Sequence, residues 1–315
     1  MRVAAIDCGT NSIRLLVAEI DDSGLHDLAR EMTVVRLGQG VDATGSFAPE
    51  AIERTEKALA EYVGIIDRLG GVDAVRMVAT SATRDADNRQ VFFDMTRRVL
   101  APVAKDAVAE VISGDEEARL SFAGAVGDLD PADGPFLVVD LGGGSTELVL
   151  GDADGVRAAY SADIGCVRLT ERCLESDPPT EAERRAGQAF VEERLEPAFD
   201  AVPVRDARTW VGVAGTMTTL SAVAQNLPAY DPDRIHLSRI PFTDLRDVCD
   251  RLVGMTRADR SALGPMHPGR VDVIGGGSII AATLAERIGA EAGIDTLVVS
   301  EHDILDGIAL SVARG

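Results

Sequence analysis

Leu137 to Asp152 reads LVVDLGGGSTELVLGD and Val3 to Glu19 reads VAAIDCGTNSIRLLVAE; aligned, Asp7 meets Asp140, Gly9 meets Gly142 and Ser12 meets Ser145. Each stretch is an apolar run ending in Asp, a turn containing glycine, and a second aliphatic run, which is the pattern of a strand, a tight turn and a returning strand. The repeat predicts two α/β halves that each contain such a hairpin. It also predicts chemistry. Backbone N–H groups left open in such a turn cradle an oxyanion. Gly9, Thr10, Asn11 and Ser12 of the first turn and Gly142, Gly143, Gly144 and Ser145 of the second are therefore the candidate phosphate-binding residues, with the Thr146 hydroxyl as a further donor. Asp7, Asp140 and Glu147 are the candidate ligands of a divalent cation, because hard cations take oxygen donors. A purely structural reading stands beside this one. Asp starts tight turns by bonding its own backbone, and the triple glycine is expected to need a positive φ.

At 315 residues and 46% hydrophobic content, the chain is long enough for two cored domains of ~100–200 residues each. The N-terminus enters a strand directly, and no apolar run approaches the ~20 residues of a membrane span, so no membrane partner is expected. The four cysteines, Cys8, Cys166, Cys173 and Cys249, form no CxxC pair, and the histidines at 26, 236, 267 and 302 are scattered. A reduced, cytoplasmic protein without a zinc-type ligand cluster is the expectation. The net charge of −21 repels nucleic acid at long range and argues against it as a partner. Any anion site must be locally positive. Lys57 and Lys105 are the only lysines, so arginine, whose planar fork suits phosphate, must supply that charge.

Strands are expected near 2–7, 13–20 and 25–36, with Asp21-Asp22-Ser23-Gly24 as the turn between the last two. A helix from Pro49 to Leu69 places Ile52, Leu59, Val63 and Ile66 on one face, with Pro suited to its first turn. A strand at 73–79, a helix at 86–100, a strand at 107–112 and a helix at 115–126 follow. This βββαβαβα order is the ribonuclease-H-like layout, predicted for a first domain over 1–128. Beyond a polar link, a second domain over 135–315 opens on its own meander at 136–140, 144–150 and 156–163. Helices are expected there at about 166–175, 180–199, 216–226 and 243–253, and strands near 209–213, 271–274 and 295–299. A last helix, about 302–313, can cross back to the first domain.

Seven segments carry a family resemblance: Asp7 to Leu15, Ala79 to Asn88, Ile112 to Ala118, Asp140 to Glu147, Ile164 to Glu171, Gly212 to Thr219 and Ile274 to Ile280. In these segments, in this order, the chain resembles the exopolyphosphatase/guanosine pentaphosphate phosphatase (Ppx/GppA) family of the actin-like ATPase superfamily. The resemblance implies two ribonuclease-H-like (actin-like ATPase) domains with an interdomain cleft. It implies release of terminal orthophosphate from inorganic polyphosphate, hydrolysis of pppGpp to ppGpp, or both. It further implies Mg²⁺ as cofactor, with Mn²⁺ as an alternative and a monovalent cation as an addition, and a homodimer. Cys8 departs from the aliphatic residue usual in the family. The chain also stops where longer relatives carry C-terminal helical and HD-type domains, from which short polyphosphates are expected to be the better substrates.

The resemblance names Glu117 as the residue that activates the attacking water and Glu116 as its more replaceable neighbour. From the residues alone, both are better explained as acids at a helix N-terminus. A carboxylate near several phosphates would be pushed up toward useful general-base strength. Arg84 and Arg89 lie beside a predicted helix start, where they suit an anion. Arg84 is expected to bridge the transferred phosphoryl, completing the candidate catalytic set of Glu117, Asp140 and Arg84. Gly212 to Thr219 and Ile274 to Ser278 read as two further strand-to-helix turns, which either contact a nucleoside or allow close packing. Arg168 and Glu171 form a surface pair or belong to the site; His236 and His302 receive no role. Two other classes share the two-hairpin layout: an ATP-dependent kinase or chaperone, and a non-catalytic sensor of guanosine polyphosphates.

Overall fold

Runs of aliphatic residues free of proline build the first sheet. β1 (Arg2–Cys8) is almost wholly buried, and β2 (Ser12–Asp21) and β3 (Gly24–Val34) complete an antiparallel meander. The computed structural model describes residues 1–21 and 24–314, so the turn expected at 21–24 lies, at Asp22 and Ser23, outside the described residues. The chain divides into two units, one formed by Met1–Gly124 with the segment from Ile304 onward, the other by Ala125–Asp303.

In the first unit the meander is followed by α1 (Val41–Thr44), α2 (Pro49–Arg68), β4 (Ala74–Ala79), α3 (Ser81–Asp85), α4 (Arg89–Leu100), β5 (Glu110–Val111) and α5 (Gly114–Ala125). The strand order β3-β2-β1-β4-β5, with β4 and β5 parallel to β1, is the ribonuclease-H-like arrangement. The expected helix at 86–100 is α4, and a short helix not expected from the sequence, α3, precedes it directly after β4. The expected strand at 107–112 shrinks to two residues.

The second unit contains β6 (Phe136–Leu141), β7 (Thr146–Asp152), β8 (Gly155–Ala162), α6 (Cys166–Cys173), α7 (Glu181–Ala201), β9 (Thr209–Val213), α8 (Ala214–Ala224), α9 (Pro232–Ile235), β10 (Ser238–Pro241), α10 (Phe242–Gly254), α11 (Arg257–Ser261), α12 (Ile274–Ala292) and β11 (Thr296–Val299). Its sheet order, β10-β11-β9-β6-β7-β8, repeats the first topology and adds an antiparallel edge strand. The predicted strand at 271–274 is absent. Ile274 instead begins the long helix α12, although three glycines in succession carry poor helix propensity. Packing explains the reversal. A Cβ at Gly276 would lie 2.5 Å from Thr170 Oγ1 on α6, and one at Gly277 2.6 Å from Thr216 Cγ2 on α8. Only glycine lets the three helices meet this closely. At Gly212 a Cβ would come 2.9 Å from Leu297 Cδ1, so this glycine too serves close approach.

The last helix, α13 (Ile304–Arg314), belongs to the first unit. Ile304, Leu305 and Ile308 bury against Val3, Ala5, Leu16 and Val78, which contributes roughly 1.5–3 kcal/mol per side chain. Arg30 on β3 holds Asp306 at 2.5 Å. Gly307 lets α13 lie against α5, since a Cβ there would stand 2.0 Å from the Leu120 carbonyl oxygen.

Candidate functional site

The two hairpin turns share one hydrogen-bond plan. The Gly9 N–H donates to the Ser12 carbonyl at 3.0 Å, and the Gly142 N–H donates to the Ser145 carbonyl at 3.1 Å. The carbonyls of each turn are tied back into the protein. In the first, Thr10 O accepts from Gly38 N–H at 2.8 Å, and Asn11 O accepts from Val35 and Arg36 at 3.0 and 2.8 Å. In the second, the start of α6 does this work: Gly142 O accepts from Cys166 N–H at 3.0 Å, and Gly143 O from Val167 at 2.9 Å and Arg168 at 3.2 Å. Arg168 Nε donates to Gly144 O at 2.9 Å, which makes Arg168 a support of the turn. Among the described residues, no acceptor lies within hydrogen-bonding reach of the N–H groups of Gly143, Gly144 and Ser145. A turn with its carbonyls engaged and its amides open is a receptor for anionic oxygen.

The expected positive φ is corrected: Gly9, Gly142, Gly143 and Gly144 are all outside the left-handed region. Space requires glycine instead at the positions that support the turns. Helix α6 approaches so closely that a Cβ on Gly165 would lie 2.4 Å from the Gly143 carbonyl carbon and 2.6 Å from the Gly144 nitrogen. Gly38 plays the matching part behind the first turn, where a Cβ would meet Thr10 Cγ2 at 2.4 Å. Hydroxyl roles also divide. Thr10 Oγ1 pairs with Ser81 Oγ at 3.0 Å, and Thr146 donates to Ile164 O at 2.6 Å, so the Thr146 hydroxyl is a structural donor.

The acidic residues differ between the hairpins. Asp7 stands opposite Arg14 in the β1–β2 register and accepts from its guanidinium at 2.7 and 3.0 Å. Asp140 stands opposite Glu147 in the β6–β7 register, both buried, and Glu147 accepts from Ser161 Oγ at 2.7 Å. Two carboxylates directly across a ladder share one face of the sheet and repel. This all-oxygen pair fits a hard dication such as Mg²⁺, which would offset the repulsion.

Glu117 is buried at the start of α5, its N–H donating to Ser113 O at 2.9 Å. Arg84, on α3, reaches it: one guanidinium nitrogen donates to Glu117 Oε2 at 2.7 Å and to Ile112 O at 3.0 Å. Glu116 faces elsewhere and pairs with Arg76 at 2.6 Å. The three buried thiols offer no competing nucleophile. Burial pushes Cys166 up to about 11 and Cys249 up to about 12, and raises Cys8 further.

A family model described as the Ppx/GppA phosphatase family matches residues 16–312. The chain belongs to the Ppx/GppA phosphatase family. It is 63% identical over 316 residues to exopolyphosphatase 2 of Mycobacterium tuberculosis, covering 99% of this chain and 98% of that protein. It is 30% identical over 220 residues to a guanosine-5'-triphosphate,3'-diphosphate pyrophosphatase of Aliivibrio fischeri, covering 70% of this chain and 43% of that protein. The crystal structure of an exopolyphosphatase-like protein superposes with a TM-score of 0.93 at 44% identity, over 99% of this chain and 98% of that one.

Within this Ppx/GppA chain, sequence reasoning missed the supports of the turns, Gly38, Gly165 and the α6 N–H groups, and the Arg14 partner of Asp7. One expectation is overturned. His236 and His302 are not scattered in space but meet at Asp128, with ligand atoms of all three within 4.8 Å of one another. Folding brings residues 174 positions apart into contact there, which no local spacing reveals. No helix among the described residues is long and apolar enough to cross a membrane.

Proposed function

We propose that this phosphatase removes terminal orthophosphate from inorganic polyphosphate, with pppGpp as a second substrate, Mg²⁺ as cofactor, the cytoplasm as compartment and a homodimer as assembly. The observation that carries the reading is the turn at 142–145, whose carbonyls are all engaged while three successive amides stay open. The names of the relatives, an exopolyphosphatase and a guanosine polyphosphate pyrophosphatase, support the two substrate classes.

The chemistry is phosphoryl transfer to water. The Gly143, Gly144 and Ser145 amides bind the oxygens of the terminal phosphoryl group and stabilise the charge that builds on them. Glu117 accepts a proton from the attacking water as the bond to the bridging oxygen breaks and the shortened chain departs. Arg84 fixes the orientation of the Glu117 carboxylate and, once substrate is present, lends its charge to the phosphoryl oxygens. Asp140 and Glu147 would hold Mg²⁺, which supplies charge neutralisation to the anhydride when bound. Asp140→Asn should therefore raise the Mg²⁺ concentration for half-maximal activity by at least about 10-fold, the usual cost of losing even an outer contact of a metal site. An unchanged Mg²⁺ titration would remove Asp140 from the metal site.

The charge of −21 sets a length preference. A strongly acidic surface repels the remote part of a long polyanion, so the enzyme should grip few phosphates and favour short chains. KM should rise or stay level with polyphosphate length, and its salt dependence should be shallow, by analogy with counterion release from nucleic acid. The test is KM against chain length at two salt concentrations, with pppGpp alongside. Affinity that climbs with length and collapses in salt would show an extended basic track instead.

A further inference from the structure

We propose that Asp128, His236 and His302 form a binding site for a zinc-class transition-metal dication, separate from the phosphate turns. All three belong to the second unit. Two imidazoles and one carboxylate select zinc, cobalt or nickel over magnesium, because imidazole nitrogen binds the borderline ions far better than it binds Mg²⁺. Three protein ligands leave a fourth tetrahedral position for water.

The geometry is close to what such an ion needs. His236 Nε2 lies 3.4 Å from Asp128 Oδ2. Two donors with bonds of about 2.0 Å at a tetrahedral angle stand about 3.3 Å apart. The rings are adjacent, with centroids 4.6 Å apart and planes tilted by 42°, and both present a nitrogen to Asp128. His302 Nδ1 sits nearer, at 2.6 Å from the same oxygen, a hydrogen-bond distance. Loading an ion must open this contact by under about 1 Å to reach the tetrahedral separation. Asp128 can move that far, because its side chain is half exposed and lies on the segment that follows α5. Loading also costs a second contact: the Glu301 N–H donates to His236 Nδ1 at 3.3 Å. Ligation through Nε2 shifts the ring proton to Nδ1 and forfeits that long, weak bond.

The positions give the ion a structural task. Asp128 follows closely on Ala125, where the second unit begins, and His302 directly precedes Asp303, where it ends. An ion held by both would cross-link the two chain segments that lead out of that unit. An ion bound only by the folded state stabilises it by mass action.

The test uses the full chain, stripped of metal and kept in excess Mg²⁺ to hold the carboxylate pair. Co²⁺ is titrated and followed by its visible ligand-field absorption, then displaced with Zn²⁺, and Tm is measured with and without Zn²⁺. One equivalent of Co²⁺ with the absorption of a low-symmetry nitrogen and oxygen site, displaced by Zn²⁺, and a Tm that rises with Zn²⁺ are expected. Asp128→Asn and His302→Gln, each confirmed as folded by orthophosphate release, should each weaken Co²⁺ binding by at least about 10-fold. Because Asp128 is half exposed, its variant stays informative if the histidine variant fails to fold. The proposal is overturned by an absence of saturable Co²⁺ binding below millimolar concentration. Equal affinity in the wild type and in the folded variants would overturn it as well, by placing the ion elsewhere.

Discussion

Glu117→Gln should lower turnover by roughly 10²- to 10⁴-fold, the usual worth of a general base, while leaving KM close to its starting value. The substitution keeps the shape of the side chain and its acceptor oxygen toward Arg84, so the 2.7 Å contact can survive as a neutral hydrogen bond. What it removes is the ability to take a proton. Glu116→Gln is the control. Its carboxylate pairs with Arg76 and is half exposed, so its loss should cost little. Steady-state release of orthophosphate from a short polyphosphate separates the two variants, and near-normal turnover in Glu117→Gln would remove this residue from the mechanism.

Gly165→Ala should be nearly as damaging to activity, although residue 165 donates nothing to substrate in this account. The new methyl group would occupy the place of the Gly143 carbonyl, 2.4–2.6 Å from three backbone atoms of the turn. Neither neighbour is a flexible side chain that can swing aside. The turn at 142–145 must shift or α6 must withdraw, and either movement disturbs the hydrogen bonds that aim the open amides. A displacement near 1 Å at a phosphoryl-binding turn costs about 10²-fold in kcat/KM, and the overpacking costs about 1–3 kcal/mol of stability. Gly187→Ala is the matched control, since a Cβ at that helical glycine meets its nearest neighbour at 3.6 Å, an ordinary contact. Wild-type kcat/KM in a folded Gly165→Ala enzyme would show that the turn does not need its α6 support.

The hairpins were legible because both kinds of information they carry are local. Asp, Gly and Ser recur at the same offsets, and aliphatic runs flank them, so alignment of the two stretches predicts the two hairpins that the β1–β2 and β6–β7 pairings form. The ribonuclease-H-like strand order followed from the sequence of elements. The supports of the turns were hidden because they are backbone groups from segments distant in the chain, such as Gly38 for Thr10 and Cys166 for Gly142. Helix α12 was misread for the opposite reason. Its opening glycines argue locally for a loop, and only the closeness of Thr170 and Thr216 shows that the glycines are what allow a helix there. The partner of Glu117 was also out of reach: Arg84 was expected on substrate alone, and the fold brings it to the carboxylate through the sharp turn of α3 after β4.

The most direct test of the central claim is orthophosphate release from a short polyphosphate in Mg²⁺ with no nucleotide and no acceptor other than water. The account expects steady release of one orthophosphate per cycle, abolished by chelation of Mg²⁺ and reduced in Glu117→Gln by the factor given above. Release that begins only when ATP or ADP is added, with the phosphoryl group appearing on or departing from the nucleotide, would contradict it and place the chain among the phosphotransferases.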